Sequence, residues 1–548
     1  MLTSDPLPPI SVTDQSGTTY QFPGSTNLYV GLGADGPTWA SLASSITDRN
    51  GNQISASTNG YKDTLGRTAV SWTGFGNNGD QVAVAGLSTN ITLHWTNVPV
   101  TFPEASHSVA GNGNCSAGST PSTSINVVSE IDLPNGQKYT FSYDATYGLI
   151  SKITFPGGGY VRYVWGLNTS SAAAFFAAQI PVQGGTVSVW CDAVYDNPAI
   201  TDRYVSYDGT TEVLHQHFSY STQWNSTTPY VWNTKSTTAT STDLVTGQIT
   251  SLNYTYADGS ADTGGPYDYN VANNVPRQGP VEQSVVYQDG SGHTLKTVNK
   301  TWLNPFAMAG EQTVLDNGQG ITSLRCYDAN EQVTNLYEYG FQSEGSKPAD
   351  PSCASSSGLT VSAIGPLKRR SATAYHNFIG GTPSTHIVSE PDSVTVYDGS
   401  GNQIQQASFA YDVNSVVASG AATGLVGPPG VCGNVSAVTH WLNSGGSSPT
   451  TSYTYFDTGQ IATKTDACGN AACSDMTGSS HTTTYSYADN FASGTGTPPG
   501  QTNAYLTQIT DPLGHISKFK YAYSDGQLTQ SQDQNDISAQ RTGTTYSY

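Results

Sequence analysis

The chain contains little charge. Asp, Glu, Lys and Arg make up 11% of its residues, whereas they make up about a quarter of an ordinary soluble domain. Acidic residues outnumber basic ones by 40 to 20, which gives a formal net charge of −20 at pH 7. A surface of this sign repels nucleic acid, and the small basic cluster Lys368-Arg369-Arg370 does not reverse that. We therefore expect no nucleic-acid partner.

Long hydrophobic runs and paired metal-binding cysteines are also missing. The most apolar segment, 172–178 (AAAFFAA), is far shorter than the ~18 residues of a membrane-spanning helix, and it predicts at most a short helix. The seven cysteines form no CxxC pairs, so no zinc site is expected from them. Cys468 and Cys473 flank a short loop that a disulfide could close in an oxidising compartment. The first residues, MLTSDPLPPISV, predict no secretory signal.

Glycine and tyrosine are abundant instead, and one stretch shows how they are used. Residues 505–533 read YLTQITDPLGHISKFKYAYSDGQLTQSQD. The segment Asp511-Pro512-Leu513-Gly514 predicts a tight turn, because Pro fixes its own φ and Gly accepts a positive one. Phe519, Tyr521 and Tyr523 alternate with two lysines and an alanine, so a strand there would place the three rings on one face. Asp525-Gly526 predicts the next turn.

Degenerate copies of this hairpin recur from residue 125 onward. In each copy a pair of aromatic residues is followed by a turn that contains Asp and Gly, and then by apolar residues that begin the next strand. One hairpin cannot bury its own aromatic face, so the copies must pack on one another. The sequence therefore predicts an all-β protein built on an antiparallel sheet. The residues that define the repeat are Tyr143, Asp144, Gly148, Tyr397, Asp398, Tyr453, Tyr455, Asp457, Gly459, Tyr485, Tyr487, Asp511, Gly514, Tyr521, Tyr523, Asp525 and Gly526.

The pattern of aromatic-x-Tyr-Asp, then Gly and Leu, then Asp-Pro-x-Gly resembles the YD repeat of the Rhs proteins, which also occurs in teneurins and insecticidal toxin complexes. The resemblance is strong over 453–548, moderate over 125–165 and 390–412, and faint before 125. It implies one long β-sheet that spirals into a hollow shell or an elongated array. In toxin-bearing members of the family, such a shell encloses a C-terminal toxic domain.

Soft boundaries rich in Ser, Gly and Pro divide the chain into four predicted parts. Residues 1–124 form a more irregular β-rich N-terminal region with degenerate repeats, and residues 125–345 form a first repeat region. Residues 346–366 read as a loop or boundary. Residues 367–548 form a second repeat region in which the array is still running at the last residue.

Several local patterns that could carry chemistry have simpler structural explanations. The GxGxxG match at 31–36 is followed by Pro37 rather than by a helix, so a dinucleotide site is not expected. His215 and His217 would share a strand face and could hold a metal with a third ligand, but a polar strand face is the simpler interpretation. The acidic residues Asp258, Asp262, Asp533 and Asp536 could bind calcium, but they lack the EF-hand spacing, and Asp in a turn needs no ligand to explain it.

We also expect no active site. The residues Asp457, Asp489, Asp511 and Asp525 each occupy a predicted turn, where Asp ordinarily binds its own backbone. The sequence contains neither a GxSxG elbow nor an HExxH motif. The expectation is therefore a non-enzymatic protein without cofactor or metal.

Three functions fit these observations. The first, implied by the resemblance, is a secreted or cell-surface shell that protects a C-terminal toxin and delivers it between bacteria. The second is an extracellular adhesion or carbohydrate-binding array, in which exposed aromatic rings contact cell-surface glycans or proteins. The third is a β-rich glycan hydrolase, which would need a cleft with two converging carboxylates. Composition alone does not separate the first two.

Overall fold

A computed structural model describes most of the chain. The described residues are 9–23, 43–101, 106–111, 123–170, 175–182, 185–195, 197–225, 232–259, 279–343, 365–378, 386–421, 430–470, 481–489 and 501–547. The all-β class predicted from sequence is confirmed, since strands dominate and the two helices are single turns. Among the described residues, no helix has the length and apolar character needed to cross a membrane.

The strands are short at the N-terminal end and longer in the middle of the chain. In order they are β1 (Ile10–Thr13), β2 (Thr19–Phe22), β3 (Ser45–Thr47), β4 (Gln53–Ser57), β5 (Gly60–Lys62), β6 (Thr68–Trp72), β7 (Asp80–Val84), β8 (Ile91–Val100), β9 (Ser106–Gly111), β10 (Thr123–Asp132), β11 (Lys138–Tyr143), β12 (Ile150–Thr154), β13 (Tyr160–Asn168), β14 (Phe175–Val182), β15 (Gly185–Tyr195), β16 (Asn197–Ser206), β17 (Glu212–Trp224) and β18 (Trp232–Asp243). They continue as β19 (Ile249–Asp258), β20 (Pro280–Asp289), β21 (Thr294–Asn304), β22 (Ala307–Leu315), β23 (Gln319–Tyr327), β24 (Val333–Tyr339), β25 (Gln342–Ser343), β26 (Leu367–Tyr375), β27 (Pro391–Asp398), β28 (Gln403–Tyr411), β29 (Val435–His440), β30 (Thr450–Tyr455), β31 (Ile461–Thr465), β32 (Thr482–Ser486), β33 (Gln508–Thr510), β34 (Ile516–Tyr521), β35 (Leu528–Gln532) and β36 (Thr544–Thr545). The helices are α1 (Ala467–Asn470) and α2 (Gln534–Ser538).

Thirty-three of these strands form one antiparallel sheet. Apart from the short strand β25, the strands of this sheet pair in chain order, with β8 next to β10, β13 next to β16 and β24 next to β26, so the sheet is a meander from β1 to β36. The short strand β25 continues the line of β24 along β23. In the described part of the chain β1 and β36 each pair on one side only, so the sheet is not closed by strand pairing.

A separate three-stranded sheet contains β9, β14 and β15. It is built from the connections that follow β8 and β13. The short helix expected over 172–178 is wrong over 175–178, because β14 pairs with β15 from Phe175 to Val182; residues 172–174 lie outside the described residues. Strand pairing overrides the helix propensity of the alanines there.

Antiparallel connections alternate between the two edges of the main sheet, and the edges differ chemically. We call the first the turn edge, because it carries compact Asp-x-x-Gly turns such as the one at Asp511. There the Asp511 carboxylate accepts from the backbone N–H of Leu513 (2.9 Å) and of His515 (2.8 Å). Gly514 has φ +83°, which only glycine adopts without strain. The opposite edge, the tyrosine edge, follows strands that end in an aromatic residue.

The turn edge of the first strands lies against the tyrosine edge of the last strands. The turn after β1 pairs with the chain near Ile387 through an antiparallel bridge at Ser16. The turn after β3 contacts the chain after β28 and β30, where Asn434 Nδ2 donates to Asn50 Oδ1 (2.9 Å). The sheet therefore returns on itself, as a spiralling sheet does. Ile387, whose side chain is 2% exposed, lies at this junction.

The predicted division into domains remains a prediction. The first boundary, at 124/125, falls inside β10, and the sheet continues through it. Most of the second boundary, 346–366, lies outside the described residues.

Candidate functional site

Aromatic side chains on alternate strands form a repeated cross-strand contact that we call the aromatic clamp. In each clamp a Tyr hydroxyl or Trp Nε1 donates to a backbone carbonyl of the preceding strand. The acceptor strand also pairs with a second strand on its other side. In that pairing it has a β-bulge next to the acceptor residue. A bulge interrupts the ladder of backbone hydrogen bonds, and the clamp supplies the acceptor carbonyl beside it with a partner. The described part of the chain contains eight clamps with donor–acceptor distances of 2.5–3.0 Å, namely Tyr143–Val128, Trp165–Ile150, Tyr220–Ile200, Trp302–Glu282, Tyr327–Met308, Tyr375–Val333, Tyr411–Pro391 and Tyr455–Val435.

The clamp hydroxyls are partly withdrawn from water. Burial raises the pKa of Tyr411 and Tyr455 above the ordinary tyrosine value, since a phenolate would lose its hydration there. Tyr411 is 8% exposed and packs with Phe378 and Ile387. The clamps therefore stay neutral donors at physiological pH.

Two of the predicted repeat tyrosines, Tyr143 and Tyr455, are clamp residues, and others have different contacts. Tyr397 lies under the Arg370 guanidinium, 4.3 Å from the ring centroid. The Tyr487 ring meets Phe456 edge-on at 5.7 Å. Tyr453 and Tyr485 pair with Lys464 and Ile509 of the neighbouring strands.

The final hairpin differs from its predicted form at one residue. β34 ends at Tyr521, where the register shifts, so Tyr523 does not continue the alternation predicted for the strand. Tyr523 instead lies in the following turn with a 9% exposed side chain. Its hydroxyl donates to Leu65 O at 3.5 Å, whereas Tyr521 stacks on Tyr505 with centroids 5.0 Å apart. The physical reason is that the chain turns directly after Tyr521, where Ala522 N donates to Gln527 O (2.9 Å) and Gly526 N donates to Ala522 O (2.8 Å).

The repeat aspartates fall into two groups. Asp144, Asp398, Asp511 and Asp525 accept from backbone N–H groups of their own turns, as expected. Asp457 and Asp489 do not, although their positions predict it. Asp457 accepts from Ser419 N (3.1 Å) and Asp489 accepts from Thr502 N (2.8 Å). These two carboxylates therefore fasten long loops rather than tight turns.

The repeat glycines have positive φ values, and at three of them, Gly148, Gly459 and Gly526, a Cβ would also lie too close to a neighbouring side chain. A Cβ on Gly459 would lie 2.6 Å from Asn50 Cγ, across the junction between first and last strands. A Cβ on Gly526 would lie 2.6 Å from the Tyr505 hydroxyl. The four repeat glycines with positive φ are Gly148, Gly459, Gly514 and Gly526.

Arg67, in the turn after β5, joins the first strands to the last hairpin. Its Nη1 donates to the Tyr505 hydroxyl (2.7 Å) and to the Tyr523 carbonyl. Its Nε donates to Asp63 Oδ2 (2.8 Å). The guanidinium also lies over the rings of Tyr505 and Tyr523, at 5.8 and 5.4 Å from their centroids. No local pattern marks this junction role of Arg67 in the sequence, because its two tyrosine partners are more than 400 residues away.

A cavity of about 260 Å³ opens beside this contact. Its wall combines amides, hydroxyls, one aromatic ring and a charge pair whose members bind each other. Asn503, which has φ +52° and is 2% exposed, lies behind the wall. Its Nδ2 donates to Thr458 Oγ1 (2.7 Å). The lining residues are Asn52, Asp63, Thr64, Leu65, Arg67, Ala421, Thr458, Gln460, Thr502, Ala504 and Tyr505.

The two histidines singled out in the sequence do share a strand face. His215 Nε2 and His217 Nδ1 lie 2.8 and 2.9 Å from the same oxygen, Asp202 Oδ1. The His215 ring also stacks on Tyr204 at 4.4 Å. The contacts form a hydrogen-bonded polar face, and the sequence did not identify Asp202 because it lies on the neighbouring strand.

The remaining sequence candidates have structural roles or lie outside the described residues. Asp533 caps α2, where it accepts from Asp536 N (2.8 Å). Asp258 accepts from Gly279 N (3.2 Å). The glycine-rich segment 31–36 and Asp262 lie outside the described residues.

The described cysteines differ in oxidation state. Cys468 is disulfide-bonded, and because Cys473 lies outside the described residues, closure of the loop between them remains a prediction. Cys326 is disulfide-bonded as well. Cys432 carries a buried thiol, whose pKa burial raises to about 11.

Comparison with known proteins finds structural likenesses in several solved structures, among them the two that follow. The crystal structure of TcdB2-TccC3-TEV has 9% sequence identity over 96% of this chain and 32% of its own, with a TM-score of 0.39. A porin-like protein from Bacteroides uniformis has 10% identity over 46% of this chain and 83% of its own, with a TM-score of 0.16. The chain thus spans about a third of the TcdB2-TccC3-TEV chain. No family model and no curated protein matches the sequence.

Proposed function

We propose that this chain is a structural portion of an Rhs-like protein that forms the wall of a shell. The observation that supports this function is the return of the sheet on itself, in which the turns of the first strands pack on the last ones. Arg67 with Tyr505 and Asn50 with Asn434 are two such contacts. A sheet that coils with its edges in contact can enclose a volume and protects edge strands from aggregation.

The enclosed partner in this proposal is a C-terminal toxin domain of the full-length protein, delivered between bacteria from a secreted or cell-surface location. The partner and the delivery role come from the YD-repeat resemblance of the sequence. The disulfides at Cys326 and Cys468 support an oxidising compartment.

The wall in this proposal is not catalytic. A glycan hydrolase needs two carboxylates that converge on a cleft about 5–10 Å apart. Asp511 and Asp525 instead accept backbone hydrogens within their turns. Release of reducing sugar from bacterial or plant glycans by the purified chain would contradict this part of the proposal.

Protease protection of the full-length gene product tests the enclosure. A tag placed at the C-terminus should survive trypsin treatment for as long as the shell is intact. Arg67→Met should make the tag accessible, whereas Arg369→Met, whose partner Glu338 lies on the neighbouring strand, should not. Immediate digestion of the tag in the unaltered protein would refute enclosure.

The cavity beside Arg67 supports a second candidate, a carbohydrate-binding array. Amide and hydroxyl groups around Tyr505 match the hydrogen-bonding needs of sugar hydroxyls. A glycan array with the purified chain tests this function. Binding that Gln460→Leu abolishes, while protease protection persists, would place the function in recognition rather than enclosure.

A further inference from the structure

We propose that His94, Glu130 and Asp132 form a binding site for a divalent transition-metal ion, with zinc as the best match. One ligand atom from each of the three side chains lies within 4.8 Å of the other two. The set offers one imidazole nitrogen and two carboxylates, which are ligands that zinc accepts. The sequence does not reveal the site, because His94 precedes Glu130 by 36 residues with no recognisable spacing.

Strand pairing brings the three residues together. His94 on β8 is opposite Glu130 on β10, and Asp132 follows two residues later. Residues i and i+2 of a strand point to the same face, so both carboxylates project beside the imidazole. The bulge between Val128 and Glu130 sets this alignment. The ligands thus stand on paired strands rather than on a loop, which favours a fixed geometry.

Asn78 orients the imidazole for coordination. Asn78 Oδ1 lies 3.0 Å from His94 Nδ1 and also accepts from Trp95 N at 3.4 Å. Because this oxygen acts as an acceptor, Nδ1 is the ring nitrogen that carries a hydrogen. Nε2 is then directed at the carboxylates, 2.8 Å from Asp132 Oδ2. An outer partner that fixes the second ring nitrogen is typical of histidines that bind metals.

The separation of the ligand atoms, the neighbouring ion pair and the exposure of the side chains are all compatible with a bound ion. Tetrahedral zinc bonds of about 2.0–2.2 Å require the Nε2–Oδ2 separation to widen by about half an ångström. Glu130 forms an ion pair with Lys138 Nζ at 3.0 Å. Because the Lys138 side chain is 55% exposed, a metal ion at Glu130 can displace the Lys138 ammonium group into water. The His94 and Asp132 side chains are 33% and 43% exposed, which gives an ion access and leaves water as the fourth ligand.

A second three-residue group in the described chain lacks this chemistry. Asp466 and His481 lie near Cys468, but Cys468 is disulfide-bonded. A disulfide sulfur cannot supply the thiolate that zinc requires. The group on β8 and β10 is therefore the better candidate.

Titration calorimetry with zinc chloride on the chelator-treated, untagged chain tests the proposal. We expect one saturable site that His94→Gln and Asp132→Asn each abolish. Asn78→Ala should weaken zinc binding by at least about tenfold. Cobalt chloride should give a visible absorption band that His94→Gln removes.

His376→Gln is the matched control, because His376 also binds a carboxylate, Asp392, at 2.6 Å, without belonging to a three-ligand group in the described chain. This variant should bind zinc as the unaltered chain does, and circular dichroism should show that all variants remain folded. The absence of saturable zinc binding, or binding that survives His94→Gln, would overturn the proposal.

Discussion

At the scale of single residues, the aromatic clamp shows one advantage of tyrosine, which outnumbers phenylalanine in this chain by 33 to 15. A tyrosine ring covers the neighbouring strand, and its hydroxyl satisfies a carbonyl beside a bulge. Phenylalanine can do only the first. Because a buried carbonyl without a partner is costly, each clamp position favours a ring with a donor.

Tyr411→Phe should destabilise the chain by about 1–2 kcal/mol, because the Pro391 carbonyl loses its donor. Urea denaturation followed by circular dichroism measures the change. Tyr397→Phe is the control, since the Tyr397 hydroxyl forms no hydrogen bond with the described residues and its contact with Arg370 is through the ring. Equal losses for the two variants would show that the clamp hydrogen bond contributes nothing.

Acid should destabilise the chain through the turn carboxylates. The backbone N–H groups of Thr211 and Thr210 hold the pKa of Asp208 well below its ordinary value. A lowered pKa in the folded state contributes stability above the unfolded value of about 3.9, and the contribution is lost as pH falls further. Asp208→Asn should therefore reduce the loss of stability between about pH 4 and pH 2.

Denaturation midpoints at pH 6 and pH 3 measure this effect. Asp243, whose pKa the N–H groups of Thr246 and Val245 lower in the same way, should behave alike when changed to Asn. An Asp208→Asn variant with the same acid sensitivity as the unaltered chain would contradict the assignment.

At the scale of elements, the sequence predicts the hairpins well and their ends poorly. The turn at Asp511–Gly514 could be predicted because its chemistry is local. The end of β34 could not, because the register shift at Tyr521 depends on how β35 pairs. The strand β14 replaces the predicted helix for a similar reason, because its extended conformation depends on pairing with β15.

Gly459→Ala should destabilise the chain more than Gly514→Ala does. Both glycines have positive φ, so both variants carry a similar backbone penalty, about 1–2 kcal/mol. Only at Gly459 does the new Cβ also meet Asn50 across the junction. The difference between the two denaturation midpoints isolates the contact between first and last strands, and equal midpoints would argue against it.

At the scale of the whole molecule, the return of the sheet depends on contacts between residues hundreds of positions apart. Arg67 and Tyr505 are separated by 438 residues. Many turns of the chain resemble the one at Asp63, so the sequence does not indicate which of them meets which hairpin. The aromatic repeat predicts that layers pack, and the three-dimensional path determines their pairing.

Arg67→Met should loosen the junction without unfolding the sheet. The variant loses charge-assisted hydrogen bonds on the order of 2 kcal/mol, while its methylene groups keep some packing. Hydrogen exchange should accelerate in 63–66 and 522–527 and remain unchanged in β17 and β18. Arg369→Met, which removes an exposed ion pair with Glu338, should change exchange only locally. Uniform acceleration throughout the sheet would show that Arg67 supports the fold rather than the junction.

The chemical difference between the turn edge and the tyrosine edge limits how such a chain can lengthen during evolution. Insertion of a single strand would move every later Asp-x-x-Gly turn to the tyrosine edge and every later aromatic strand end to the turn edge. Insertion of two strands preserves both. Length variation among homologues should therefore come in whole hairpins, and an odd number of added strands should occur only where the extra strand leaves the sheet, as β9 does.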